Sequence, residues 1–130
     1  MIVADASALL DVLLQTPTGL AIEERMLAAG ETLHVPYLID IEVAQTLRRF
    51  TRTGQVGAER GREVLNDFAI LPLWRYPHEF LLPRIWELRN NLTAYDAAYV
   101  ALAEILDAVL VTCDRRLAAA PGLKADIEVF

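Results

Sequence analysis

Short apolar runs alternate with longer stretches of helical periodicity along this chain. The runs predict strands at Ile2–Asp5, Leu33–Val35, Leu73–Tyr76, Val109–Thr112 and Ile127–Phe130. The intervening periodicity predicts helices at Ser7–Leu14, Gly19–Ala29, Tyr37–Thr53, Gly57–Leu71, Leu81–Arg89, Thr93–Leu106 and Asp114–Ala119. This alternation is typical of a buried parallel sheet. We therefore predict an α/β fold, a single domain over residues 1–130, with a central parallel sheet of about five strands.

Helical spacing also predicts which side chains face the core. On the third helix these are Ile39, Val43, Leu47 and Phe50, and on the fourth they are Val64, Leu65 and Phe68. Three further aromatic residues, Trp74, Tyr76 and Trp86, favour core packing over stacking on nucleobases. Leu10, Leu13 and Leu14 fit either the core or a groove for a partner.

Composition and charge indicate the cellular compartment of the protein and limit how it could bind nucleic acid. The chain has 130 residues, 55% of them hydrophobic, a net charge of −6 and a single cysteine, Cys113. No signal-peptide pattern or membrane-spanning apolar run is present, so we expect a cytoplasmic protein without an intrachain disulfide. An acidic chain does not attract nucleic acid through its average field. Any nucleic-acid site therefore needs bound cations or a local group of arginines.

Four acids stand at the junctions between predicted elements. Asp5 and Asp114 follow strands, while Glu42 and Asp96 lie in the first turns of helices. Taken singly, each is explained by helix capping or by the helix dipole. In open parallel sheets, however, ligands bind beyond the carboxyl ends of the strands. We therefore predict that the fold gathers all four at that edge.

The apolar surroundings of these acids favour a metal site. Carboxylates with mostly apolar neighbours are costly unless they are paired or bound to a cation, and no lysine is near in sequence. Oxygen-only ligands suit Mg²⁺ or Mn²⁺ rather than zinc. His34 and His78 are isolated and are interpreted as structural. Such a site predicts metal-assisted phosphodiester hydrolysis without a side-chain nucleophile.

Four sequence motifs then resemble one known family. They are Asp-x-Ser-x-Leu from Asp5, the stretch Pro36–Val43, the stretch Tyr95–Ala103, and the stretch Val111–Leu117. Their order and the chain length resemble PIN-domain proteins, specifically toxins of the VapC type from type II toxin–antitoxin pairs. The resemblance covers essentially the whole chain.

The resemblance implies a parallel sheet with helices on both faces and a Mg²⁺- or Mn²⁺-dependent endoribonuclease. It implies that Asp5, Glu42, Asp96 and Asp114 hold the metal, with Ser7 and Thr112 as auxiliary residues. It also implies a homodimer and an antitoxin whose C-terminal segment reaches the acidic site. Some relatives have a further acid or asparagine two residues beyond the last aspartate. Arg116 stands there in this chain, so one or two ions remain open.

Arginines are candidates for binding the RNA backbone. Arg49 and Arg52 follow Glu42 and Gln45 along one lane of the third helix, although a solvated polar face would have the same pattern. Arg115 and Arg116 flank the last acid.

Three alternative functions stay open. They are a DNA-directed metal nuclease, a phosphoacceptor switch and a non-catalytic PIN-type module for binding or oligomerisation. A duplex-binding nuclease needs longer insertions than this chain offers. A receiver-type switch needs a lysine on a late strand, and Lys124 stands isolated near the end. All four acids are present, so no degeneration of the site is visible.

Overall fold

A parallel sheet forms the centre of the molecule. The computed structural model describes residues 1–130. Its strands are β1 (Ile2–Ala4), β2 (Leu33–Pro36), β3 (Leu73–Tyr76), β4 (Val109–Thr112) and β5 (Ile127–Val129). They lie in the order β3-β2-β1-β4-β5, and all neighbouring strands are parallel. The predicted sheet is confirmed.

Strand β1 is the central strand of the sheet. Ile2, Val3 and Ala4 are all fully buried. Because successive side chains of a strand point to opposite faces, both faces of the sheet are covered at β1. The chain builds outward through β2 and β3 on one side of β1, and through β4 and β5 on the other. The carboxyl ends of β1 and β4 therefore border a topological switch point, where parallel α/β sheets bind their ligands.

Helices fill the connections between the strands. They are α1 (Ala6–Leu13), α2 (Pro17–Met26), α3 (Ile39–Arg52), α4 (Ala58–Ile70), α5 (Leu82–Glu87), α6 (Ala94–Leu106) and α7 (Arg115–Ala118). Helix α2 begins two residues before the predicted Gly19, because the Thr16 hydroxyl accepts the Gly19 N–H and Pro17 suits a first turn. None of the helices has the length and apolar composition of a membrane span.

Helix α5 is shorter than the predicted Leu81–Arg89. A 3₁₀ turn at Glu79–Leu81 precedes it, and the helix ends at Glu87. Pro83 is tolerated because it lies in the first turn, where its missing N–H leaves no helical hydrogen bond unmade.

The core mostly follows the helical periodicity. Val43 and Val64 are fully buried, and Ile39, Leu47 and Phe68 lie with them in a cluster of 29 buried residues. Leu10 and Leu13 also belong to this cluster.

Leu65 and Phe50 depart from the predicted core. Leu65 is 40% exposed, so its inward assignment was wrong. It follows Val64 by one position, which rotates it about 100° around the helix, to the edge of a groove between α3 and α4. Phe50 is only half-buried.

The two tryptophans are not core residues, contrary to the prediction. Trp74 is 64% exposed on β3, which is the edge strand of the sheet, and Trp86 is 67% exposed on α5. Tyr76 is half-buried, and its hydroxyl lies 2.8 Å from Nδ1 of His34. The other histidine, His78, accepts the backbone N–H of Leu38 through Nε2. Both histidines therefore make hydrogen bonds within the fold.

Candidate active site at the carboxyl ends of the strands

Asp5 joins three elements at the switch point. It follows β1 directly, is only 7% exposed, and caps α1 by accepting the Ala8 N–H at Oδ1. Oδ1 also accepts the Ser7 hydroxyl at 2.6 Å, and Oδ2 accepts the Thr112 hydroxyl at 2.5 Å. Burial raises the pKa of Asp5, and the hydrogen bonds from Ser7, Thr112 and the backbone oppose that rise. Asp5 is thus a helix cap and also a fixed, buried acid.

Ser7 and Thr112 fasten β4 to the start of α1. The Ser7 hydroxyl accepts the Cys113 N–H at 3.0 Å while it donates to Asp5. The Thr112 hydroxyl accepts the Asp114 N–H at 2.9 Å while it donates to Asp5. Both auxiliary residues therefore lie beside the first and last acids, where they hold Asp5 in one orientation.

Glu42 accepts a hydrogen bond from a buried tyrosine. It lies in the first turn of α3 and is half-buried, and its Oε2 accepts the Tyr99 hydroxyl at 2.5 Å. Tyr99 is only 2% exposed. Burial, together with the charge and hydrogen bond of Glu42, raises the pKa of Tyr99 far above its usual range. The phenol is therefore the donor, and Oε2 of Glu42 is the acceptor, in this hydrogen bond.

The sequence analysis did not identify Tyr99. It lies three residues after Asp96 on α6, within the most buried stretch of that helix. A buried tyrosine usually finds a hydrogen-bond partner for its hydroxyl. That rule, applied to an apolar helix that also carries a candidate site residue, would have indicated an acceptor nearby.

Asp96 and Asp114 occupy helix starts, as their positions in the sequence predict. Thr93 caps α6 by accepting the Asp96 N–H at 3.1 Å. Asp114 caps α7, its Oδ1 accepting the Arg116 N–H at 2.8 Å. Asp96 is half-buried and Asp114 is exposed. The capping interpretation is correct for Asp114, whereas at α6 the cap is the Thr93 hydroxyl. Both acids keep carboxylate oxygens available to a ligand.

The four acids act on one another electrostatically. Burial raises the pKa of Glu42, and the charges of Asp96 and Asp5 raise it further. Burial likewise raises the pKa of Asp96, with additional repulsion from Asp114 and Asp5. Repulsion of this kind requires the carboxylates to lie near each other. The hydrogen bonds agree, because Thr112 joins Asp5 to the Asp114 backbone and Tyr99 joins Glu42 to α6, the helix that carries Asp96.

No cationic side chain of the protein forms an ion pair with these four acids. The chain has seven ion pairs, and none includes Asp5, Glu42, Asp96 or Asp114. The nearby Cys113 thiol donates to Oδ2 of Asp11 at 3.2 Å, so the four acids offer oxygen ligands. A divalent cation would relieve the repulsion and suits these ligands.

The acids do not form a closed cage for an ion. No three aspartate, glutamate, histidine or cysteine side chains converge closely enough to enclose an ion by themselves. Mg²⁺ usually keeps several waters and takes only one or two carboxylates directly. One or two of these carboxylates would therefore hold a Mg²⁺ only with water completing its coordination.

Basic residues lie along the same helix as Glu42. A cleft of about 380 Å³ is lined by Gln45, Arg48, Arg49, Arg52 and Thr53. Arg49 and Arg52 are exposed and form no ion pair. Arg115 and Arg116 are also exposed, in the first turn after Asp114. All four predicted arginines are thus accessible to a ligand.

Comparison with known proteins identifies the family. The family model described as the PIN domain matches residues 2–123. The chain belongs to the PIN-domain family. This PIN domain is 50% identical over 117 residues to the VapC ribonuclease Mb0985 of Mycobacterium bovis, covering 90% of this chain and 88% of that protein. The family predicted from the motifs is therefore confirmed.

Two further comparisons cover nearly the whole PIN domain. Ribonuclease VapC12 of Mycobacterium tuberculosis is 41% identical over 129 residues, which is 99% of this chain and 98% of that protein. The crystal structure of VapBC2 from Rickettsia felis, bound to a DNA fragment from its promoter, matches with a TM-score of 0.71. That match spans 100% of this chain and 99% of the other at 16% identity, so it supports the fold alone.

Proposed function

We propose that this PIN domain is a metal-dependent endoribonuclease and the toxin of a toxin–antitoxin pair. The observation that carries the proposal is the placement of four acids just beyond β1 and β4 and in the first turns of α3 and α6, with none of them in an ion pair with a side chain of the protein. The VapC ribonucleases to which the chain is similar support an RNA substrate. We also propose that residues 1–130 form a single PIN domain, in keeping with their one core cluster.

In this proposal Asp5, Glu42, Asp96 and Asp114 hold one or two Mg²⁺ or Mn²⁺ ions. A bound divalent cation supplies activation of water and stabilises charge on the reacting phosphate. The protein supplies the positions of the ligands. Thr112 and Ser7 fix Asp5, and the Tyr99 hydroxyl fixes Glu42.

The arginines have a separate role in the proposal. Arg49 and Arg52 on α3, with Arg115 and Arg116 on α7, bind the phosphates that flank the cleaved bond. Arginine suits this role because its guanidinium presents several donors in one plane. Such contacts supply affinity without selecting a base sequence.

The proposal also includes an antitoxin and a second copy of the chain as binding partners. The antitoxin covers the acidic site with a C-terminal segment, and cationic side chains there pair with the uncompensated carboxylates. We also propose a homodimer and a cytoplasmic location, where RNA is available. A monomer in sedimentation at micromolar concentration would contradict the homodimer, and recovery outside the cytoplasmic fraction would contradict the location.

The test of the activity is cleavage of total cellular RNA by purified protein with Mg²⁺, with Mn²⁺ and with chelator. Asp96→Asn removes one acid of the site, and Asp67→Asn makes the same change at an exposed position on α4. Single-stranded DNA of matched composition is included. We expect discrete RNA fragments that require the metal, disappear with Asp96→Asn and persist with Asp67→Asn.

Other outcomes would select a different function. Cleavage that survives chelation, or that Asp96→Asn leaves intact, would place the activity outside the carboxylates. Equal cleavage of DNA would favour the DNA-directed nuclease. Folded protein without activity in either metal would favour the non-catalytic module.

A further inference from the structure

A second cleft, of about 480 Å³, opens directly beside the acids. Its lining residues come from α1, α3 and the start of α6, and they are Ala6, Ile41, Glu42, Gln45, Thr46 and Tyr95. Its volume lies within the range of about 300–1,000 Å³ that small-ligand sites occupy. Glu42 belongs both to the acidic site and to the wall of this cleft. A molecule bound here therefore touches the site itself.

Two large side chains in the cleft are left open to solvent. Ile41 is 74% exposed and Tyr95 is 65% exposed, although both lie on well-formed helices. Neither contributes to the buried core. Tyr95 immediately precedes Asp96, so its backbone position is tied to a site residue. Adjacent exposed apolar side chains beside a polar site are typical of a ligand groove.

The remaining walls carry neutral polar groups. Gln45 has an amide with both donors and an acceptor, and Thr46 has a hydroxyl that can act as either. A planar apolar surface next to uncharged donors and acceptors matches a nucleobase. Unpaired RNA bases are recognised in this way, by stacking on aromatic rings and by hydrogen bonds along their edges.

The cleft also shares one lining residue with the basic cleft on α3. Gln45 lines both of them. At a helical rise of about 1.5 Å per residue, Arg49 lies about 10 Å along the axis from Glu42. That distance is short enough for adjacent nucleotides of one RNA strand to reach both Glu42 and Arg49. Along α3, the acid Glu42 is followed by the cleft residues Gln45 and Thr46 and then by Arg49. One strand of RNA could therefore contact the acidic site, the cleft and the arginines in turn.

We propose that the cleft formed by Ile41, Gln45, Thr46 and Tyr95 is a pocket for one unpaired RNA base next to the cleaved bond. Tyr95 stacks on the base, and Gln45 and Thr46 read its edge. This inference rests on the proposed ribonuclease function and names the part of the site that selects the cleavage position. A protein segment is the competing occupant, and it would gain less than a phosphate backbone does from the neighbouring arginine cleft, with which this cleft shares Gln45.

The test measures RNA binding and cleavage separately. Binding of labelled single-stranded homopolymers of each base is followed by fluorescence anisotropy with Mg²⁺ in an Asp114→Asn background, which prevents turnover. Tyr95→Ala removes the ring, and Tyr95→Phe keeps it. Trp86→Ala is the matched control, because Trp86 is similarly exposed on α5. Gln45→Ala tests the reading of the base edge independently of Tyr95.

We expect Tyr95→Ala to weaken binding of the preferred base by about 5- to 150-fold, the range for losing one base–aromatic stack. In the otherwise wild-type protein, Tyr95→Ala and Gln45→Ala should both alter the base preference at mapped cleavage ends. Tyr95→Phe and Trp86→Ala should bind like the parent protein. Unchanged binding and unchanged cleavage ends in Tyr95→Ala and Gln45→Ala would overturn the pocket while leaving the nuclease intact.

Different results would refute the proposed nuclease activity and the proposed base pocket. If the wild type cuts no RNA but Tyr95→Ala still loses affinity for one base, the pocket stands and the proposed activity does not. If Tyr95→Ala changes only self-association in sedimentation, with RNA affinity unaltered, the cleft is a protein interface and the pocket is wrong.

Discussion

Replacing Tyr99 by phenylalanine removes one oxygen atom and leaves the ring that fills the core. The lost contact is the 2.5 Å hydrogen bond from the Tyr99 hydroxyl to Oε2 of Glu42. A hydrogen bond to a charged group contributes about 1.5–3 kcal/mol. Glu42 is only half-buried, so water can replace part of the loss. We therefore expect a destabilisation of about 1–2 kcal/mol, near the lower end of that range.

This free energy converts into a change in melting temperature. At about 2.1 cal/mol/K per residue, a chain of 130 residues has an unfolding entropy of about 0.27 kcal/mol/K. The expected decrease in Tm is then about 4–7 °C. It is measured by circular dichroism in chelator, so that metal binding does not contribute. Tyr37→Phe, at a phenol that is 51% exposed, is the matched control and should leave Tm unchanged.

The same substitution tests the positioning of Glu42. Loss of a hydrogen bond that orients a metal ligand typically costs about 10- to 100-fold in metal affinity or activity. We expect the Mg²⁺ concentration for half-maximal RNA cleavage to rise, or the maximal rate to fall, by that factor in Tyr99→Phe. If Tm stays within about 1 °C and the Mg²⁺ dependence is unchanged, Tyr99 does not position Glu42.

Two further predictions concern acid stability and the partner. Burial alone would raise the pKa of Glu104, but hydrogen bonds from Arg84 and from the Lys124 backbone lower that pKa below its usual value. The stability that Glu104 contributes should therefore be present at neutral pH and lost as the pH falls through the lowered pKa. Urea unfolding should accordingly show wild type more stable than Glu104→Gln at pH 7, with the difference shrinking in acid, and a constant difference would refute this. The cognate antitoxin should bind an Asp96→Asn, Asp114→Asn double variant more weakly, and undiminished affinity would contradict the charge contact.

Much of the fold could be predicted because burial leaves a local pattern. Parallel strands covered on both faces are almost wholly apolar, which made β1 and β4 recognisable in the sequence. An acid one or two residues after such a strand must lie at its carboxyl end. The positions of Asp5 and Asp114 therefore followed from the strands alone, before any distance was known.

Contacts between distant elements could not be predicted in this way. The Tyr99–Glu42 hydrogen bond links α6 to α3, and no periodicity within either helix reveals it. Tyr95 was overlooked because its role depends on the cleft that α1, α3 and α6 form together. Trp74 was wrongly assigned to the core because hydrophobicity does not tell which strand will be an edge of the sheet.

The central claim is that the four acids bind a divalent cation that RNA cleavage requires. The most direct measurement is calorimetric titration of Mg²⁺ and Mn²⁺ into wild type, Asp5→Asn, Glu42→Gln, Asp96→Asn and Asp114→Asn, with cleavage assayed on the same samples. We predict binding of one or two ions by wild type, and weaker metal binding and slower cleavage in every variant. Cleavage by a wild type that binds no metal, or variants that bind metal as wild type does, would contradict the account.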